Sequence, residues 1–213
     1  NMSFNVGIIG LGKMGRIRYE ILKKHKKINK IFCYDSSYKQ NFNNDIKNVD
    51  QIFKNKEIDL IFICTPNYLN KKLTIKSLKN NKHTFCEKPP SFNSDEMKEI
   101  INIEKKSKKI LMYGFNHRHH ESIKQIKKII ESKKYGNILW MRGRYGKSVD
   151  KTFYKDWRSK KKLSGGGILI DQGIHLLDLF LYFVGDFNKV YASVSNLYWD
   201  VDVEDNVFAI LEN

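Results

Sequence analysis

The segment 168–178 reads ILIDQGIHLLD and sets Asp171 and His175 four residues apart in strongly apolar surroundings. At that spacing two side chains share one face of a helix. A carboxylate one turn from an imidazole fixes its tautomer and raises its basicity, as a general base requires. Asp178 extends the same face by another turn. A lone Asp/His pair is more often a surface ion pair, but charge set among Ile, Leu and Phe needs a partner or a task. Lys88 is the second candidate, in Glu87-Lys88-Pro89-Pro90 at the end of a strand pattern. Its ammonium can hydrogen-bond a substrate hydroxyl and stabilise developing negative charge. Taken alone, it is also one surface lysine among 33.

A third group binds rather than reacts. Gly10-Leu11-Gly12-Lys13-Met14-Gly15 follows the strand pattern FNVGII and opens a helix pattern. In such a loop Gly10 allows the tight turn and Gly12 lets the backbone approach a pyrophosphate. Gly15 lets the helix pack closely on the strand, so that its N-terminus faces the phosphates. Asp35 ends the next strand pattern, twenty residues after Gly15, where a carboxylate accepts ribose hydroxyls. The same charge repels a 2′-phosphate and favours NAD, while Ser36, Ser37 and Lys39 keep NADP possible. The plain alternative makes Asp35 a turn or N-cap residue. Cys64-Thr65-Pro66-Asn67 closes another buried strand, where open α/β sheets line their ligand crevice.

These residues need a scaffold. Over residues 1–115 short β-branched runs (FNVGII, KIFCY, DLIFIC, HTFC, ILMY) alternate with helical patterns. That rhythm predicts an α/β fold: a doubly wound parallel sheet with helices on both faces. Over 116–213 the rhythm changes. A helix is expected over about 119–133, with Ile123, Ile126, Ile129 and Ile130 inward. An alternating strand over 137–146 (NILWMRGRYG) follows, then a Lys-rich loop, a Gly-led apolar helix from about Gly165, and strands near 189–197 and 206–211. This predicts an α+β domain with an open, mostly antiparallel sheet. Its last strand ends without a turn or cap, so the chain is expected to be incomplete.

Composition narrows the function classes. The chain has 213 residues, 41% of them hydrophobic, enough for a core. Its formal charge of +16 invites a nucleic-acid or membrane reading. The charge, however, comes from lysines scattered along the whole chain, with neither an Arg-rich patch nor an aromatic stacking patch. Solvated helix faces explain it better. Neither nucleic acid nor membrane is expected as a partner, since the most apolar stretch, 168–184, contains Asp171, His175 and Asp178. Cys33, Cys64 and Cys86 lie in apolar runs without metal-ligand or redox spacing. Three buried thiols, no metal and no signal peptide give a cytoplasmic expectation. Asn1 ahead of Met2 reads as an expression remnant.

Together GLGKMG, CTPN, EKP, GFNHR and GGGILIDQGIHLLD, in this order and spacing, resemble the Gfo/Idh/MocA family of nicotinamide-dependent oxidoreductases. The resemblance implies an N-terminal Rossmann domain over 1–115 and a partial substrate and oligomerisation domain over 116–213. It implies that Gly10, Gly12, Lys13, Met14 and Gly15 hold the pyrophosphate and Asp35 the ribose. Thr65, Pro66 and Asn67 would line the dinucleotide crevice, with Glu87, Lys88 and Asn116 near the nicotinamide end. Lys88, Asp171 and His175 match the family's catalytic set, and the Lys88–Pro89 bond is often cis in relatives. Arg118, Tyr145, Trp157 and Arg158 would wall the substrate, together with Asp171 and His175. The implied activity is hydride transfer between NAD or NADP and a secondary hydroxyl of a sugar, nucleotide sugar or inositol. The alternatives are a non-catalytic NAD-binding sensor or truncated relic, and an NAD-dependent glycosidase of related fold. The family's second domain is usually much longer, and a full-length form is expected to be a homo-oligomer.

Overall fold

The sheet begins with β1 (Phe4–Ile9), whose residues 6–9 are buried, as a strand between two helix layers requires. The computed structural model describes residues 3–37 and 46–213. Asn1, Met2 and Lys39, on which two of the expectations above fall, lie outside them. Five parallel strands, β1, β2 (Ile28–Tyr34), β3 (Leu60–Ile63), β4 (His83–Cys86) and β5 (Leu111–Tyr113), are ordered β2-β1-β3-β4-β5. Val6 and Ile8 pack on one face with Leu22 of α1 (Lys13–Lys23). Ile9, Ile61 and Ile63 pack on the other with Ile52 and Phe53 of α2 (Val49–Lys54) and Leu73 of α3 (Asn67–Lys79). Strand order reverses between β1 and β3, so a crevice opens at their carboxyl ends, beside Gly10 and Cys64. The chain continues through α4 (Ser94–Ser107), which Asn93 caps by accepting from the Glu96 amide.

The chain divides into two compact units, Asn1–Gly114 and Phe115–Asn213. The second opens with a 3₁₀ turn (Asn116–His119) and α5 (Glu121–Glu131). Ile123 and Ile130 are half-buried, but Ile126 and Ile129, expected to face inward, are exposed. The expected strand over 137–146 is absent. Its alternation is real, yet a strand needs a ladder partner, and β6 (Lys189–Ser195) and β7 (Asn206–Glu212) pair only with each other. Leu139 and Trp140 accordingly stand 91% and 76% exposed.

The Gly-led helix also differs from expectation. After α6 (Lys161–Ser164) the backbone makes a π turn over Leu169–Gly173 and only then α7 (Ile174–Val184). A Cβ on Gly173 would meet Leu169 Cδ1 at 2.9 Å, so the missing side chain admits Leu169 into this wider turn. Asp171 and His175 therefore do not stand in simple α register. By length and apolarity alone Lys161–Val184 would suffice to cross a membrane. It nevertheless carries Asp171, His175 and Asp178, each engaged within its own unit. Of the three thiols, Cys33 and Cys86 are buried and Cys64 is half-buried. Burial pushes the Cys86 thiol up to about 12 and Cys64 upward too, which leaves both unreactive.

Between β6 and β7 the backbone wraps around Asp205, whose carboxylate accepts from the amides of Leu197, Tyr198 and Trp199 at 2.7–2.8 Å. Burial works against the charged form, but these three donors outweigh it and hold the carboxyl below its usual value. A depressed folded value means the stabilisation is present above the unfolded value and is lost as pH falls through the folded one. The Trp199 indole resonance should therefore shift on acidification below about pH 4, the ordinary carboxylate range. Asp205→Ala should show the shifted resonance already at neutral pH. Identical spectra for the two proteins at pH 7 would refute this account of the turn.

Candidate active site

At the carboxyl ends of β1 and β3 the backbone segments approach closely. Gly10 has φ +92°, and a Cβ there would lie 2.5 Å from the Cys64 carbonyl oxygen. A Cβ on Gly15 would lie 1.9 Å from the Gly10 oxygen. Both glycines are thus explained by packing within the chain. Gly12 is not: among the described residues, a Cβ there meets nothing within 4 Å. It is the N-cap of α1, without a side-chain cap and with no acidic residue in the first turn. Free amides, a positive dipole end and a missing side chain facing open space fit a pyrophosphate. Lys13 and Met14 occupy the exposed start of that turn.

Asp35 stands beside this loop. One oxygen accepts from the Leu11 amide at 2.5 Å, and the other accepts from the Ser37 amide and hydroxyl at 2.8 Å each. The carboxylate therefore closes a turn and also pins the glycine loop. Thr65 donates to Asn70 Oδ1 at 3.2 Å, Pro66 caps α3, and Asn67 is buried in its first turn. Asn70, fully buried, donates from Nδ2 to the carbonyls of Glu87 (3.1 Å) and Pro89 (2.9 Å). It thus fixes the backbone on both sides of Lys88, whose bond to Pro89 is cis. Glu87 is buried and accepts from Arg18 Nε (3.0 Å) and Nη2 (2.8 Å), while that guanidinium lies 4.8 Å over the Phe85 ring.

The second unit assembles its own cluster. His175, 7% exposed on the first turn of α7, stacks on His117 with centroids 4.2 Å apart and planes at 18°. Tyr145 Oη is 3.3 Å from His117 Nε2. Asp171 accepts from Lys147 Nζ at 3.0 Å and Gln172 Nε2 at 2.9 Å, with Arg158 Nε at 3.6 Å. Arg158 also lies 4.2 Å over Trp157. Tyr145, Trp157, Arg158, Asp171 and His175 thus belong to one neighbourhood. Arg118 points its fork elsewhere, to Asp178 at 2.7 and 2.5 Å, and lies over the Tyr182 ring. The Asp178 carboxylate raises the Arg118 guanidinium above its ordinary value. Asn116 is exposed at the start of the 3₁₀ turn.

Four residues escaped the sequence reading: Arg18, Asn70, His117 and Lys147. His117 sits inside the GFNHR motif, between two residues that were singled out. Asn70 lies three residues after Asn67, one helical turn inward, which is where a polar contact to the crevice had to come from. Its carbonyl bonds make a prediction. Asn70→Leu leaves two acceptors without their donor and should destabilise the first unit by about 2–3 kcal/mol. Urea unfolding followed by far-UV circular dichroism measures it. An unchanged midpoint would mean Asn70 does not hold the Lys88 turn.

Comparison with known proteins agrees with this geometry. Residues 4–115 match the family model described as the oxidoreductase family with an NAD-binding Rossmann fold, and residues 123–213 match the GFO/IDH/MocA C-terminal domain. Levoglucosan dehydrogenase of Pseudarthrobacter phenanthrenivorans is 29% identical over 211 residues, covering 91% of this chain and 54% of that protein. Myo-inositol 2-dehydrogenase of Thermotoga maritima is 27% identical over 206 residues, covering 90% and 58%. A solved levoglucosan dehydrogenase in complex with NADH and levoglucosan superposes with a TM-score of 0.90 at 28% identity, over 99% of this chain and 64% of that one. The chain spans about half the length of the curated relatives it matches. With more than half its residues matched by the N-terminal model alone, the chain belongs to the Gfo/Idh/MocA family of oxidoreductases.

Proposed function

We propose that the whole protein oxidises a secondary hydroxyl of a sugar, nucleotide sugar or inositol with NAD, in the cytoplasm. The observation that carries the binding half is Gly12, whose missing side chain, unlike those of Gly10 and Gly15, faces nothing within 4 Å among the described residues. The family and its sugar and inositol dehydrogenase relatives supply the class of reaction. Bound NAD supplies the hydride acceptor. His175 takes the hydroxyl proton, and the nearby Asp171 carboxylate helps stabilise its charged form. Lys88 hydrogen-bonds the same hydroxyl oxygen and stabilises negative charge there. Tyr145, Trp157 and Arg158 position the sugar, Trp157 offering a flat apolar face.

A second reading is a reaction without net oxidation, favoured by one relative. An Escherichia coli protein named 2,7-anhydro-N-acetylneuraminate hydratase is 26% identical over 196 residues. Stoichiometric NADH accumulation separates the two.

Two measurements test the proposal. The first is NAD affinity by calorimetry. Gly12→Ala should lose roughly tenfold or more, about 1.4 kcal/mol, with an unchanged melting temperature, because its Cβ meets only the ligand. Gly15→Ala should instead lower the melting temperature. Asp35→Ala should weaken NAD by about 1.5–3 kcal/mol and narrow the gap to NADP. Undiminished NAD binding in both Gly12→Ala and Asp35→Ala would place the dinucleotide elsewhere.

The second measurement is turnover against a panel of sugars, nucleotide sugars and inositols. Oxidation should fall at acid pH, because a protonated His175 accepts no proton. His175→Ala should lower kcat by about a hundredfold or more, and Lys88→Ala should also lower it while NAD binding survives. Lys162→Ala, exposed on α6, is the matched control and should turn over normally. Wild-type kcat in both His175→Ala and Lys88→Ala would dispose of this chemistry.

A further inference from the structure

Two imidazoles stacked face to face are an unusual arrangement for a base that must stay neutral. The His117 and His175 rings lie 4.2 Å apart and nearly parallel. They differ in exposure: His175 is buried on α7, whereas His117, on the 3₁₀ turn, is half-exposed. Tyr145 holds the His117 plane through its Nε2, and His120 meets that ring edge-on at 5.7 Å. Phe115 closes the edge of His175 at 6.3 Å. The charged groups around this stack have their own counter-ions. Asp171 is held by Lys147 and Arg158, and Asp178 by Arg118.

We propose that His117 is a positioning residue for His175: its ring fixes the imidazole plane and takes the first proton, which keeps His175 neutral to lower pH. The physics is that of coupled sites. Two positive rings in van der Waals contact repel, so the pair binds its second proton much less readily than its first. Burial opposes charge on His175 more than on His117, so the first proton goes to the exposed ring. The inference rests on the reading of His175 as the base, but the coupling itself requires no turnover.

The test is a long-range 1H–15N NMR titration of the His175 ring nitrogens in the chain without ligand. In both His117→Phe, which keeps a stacking ring, and His117→Gln, which keeps a polar side chain, the His175 midpoint should rise by about one pH unit or more. His25→Gln, on the first unit, should leave it in place. Unchanged or lowered midpoints in the two His117 variants overturn the proposal, and His117→Gln alone decides if His117→Phe does not fold. In turnover, the acid limb of kcat/KM should move to higher pH by the same amount. A rise in the NMR midpoint without any polyol oxidation would uphold the coupling and reject the dehydrogenase reading. Oxidation that depends on His175 with an unmoved midpoint would do the reverse.

Discussion

The Glu87 carboxylate, buried at the end of β4, is the constraint on which the first unit depends. A charge in that position is tolerated only with a partner and good geometry, and removing one side of such a pair costs about 3–5 kcal/mol. Arg18 supplies the partner from α1, so the helix that begins at the glycine loop is tied to the neighbourhood of Lys88. Gly114 gives the carboxylate room, since a Cβ there would stand 2.5 Å from Oε2. Asn70 holds the same residue's carbonyl from α3. Four elements thus converge at one end of the sheet, the end where parallel α/β folds bind ligands. The Glu87 carboxylate is the tie between these elements at that end of the sheet.

Scarcity of arginine turns out to carry information. The chain has six arginines against 33 lysines. Among the described residues, Arg18 forms an ion pair with Glu87, Arg118 with Asp178, and Arg158 with Asp156 and Asp171. The first two present two nitrogens to one carboxylate, which an ammonium cannot do. Lysine serves where one contact is enough, as Lys147 does on Asp171. At Glu87 and Asp178 the guanidinium fork thus fixes geometry that a lysine would leave loose.

How much was legible in the sequence follows from how local each determinant is. Strands β1–β5 could be read because each is short, rich in β-branched and aromatic residues, and bounded by a glycine, proline or polar turn. The glycine loop and Asp35 could be read because their spacing reflects a backbone approach that few residues permit. Asp35 admits two readings from sequence, and the structure shows the turn directly, with the loop amide of Leu11 added to it. The segment 137–146 could not be read correctly, since alternation reports a preference while a ladder needs a neighbour. Nor could the π turn. It depends on Leu169 packing where Gly173 lacks a side chain, a contact within one segment that periodicity does not encode.

The same logic explains the helical run that carries the proposed chemistry. It is apolar enough to pass for a membrane span, yet it carries three titratable residues. Each meets a partner from a different segment: Asp171 from the loop at Lys147 and Arg158, His175 from His117, and Asp178 from Arg118. His117 and Arg118 are adjacent in sequence, so one 3₁₀ turn serves two of the three positions. Such a turn advances about 120° per residue, and neighbours therefore point in different directions. One can stack on the buried imidazole while the other reaches past it to Asp178. Charge pairing at Asp178 anchors the turn, and the anchored turn presents His117 to His175. A part-buried ion pair thereby bears on how the His117 ring meets that of His175.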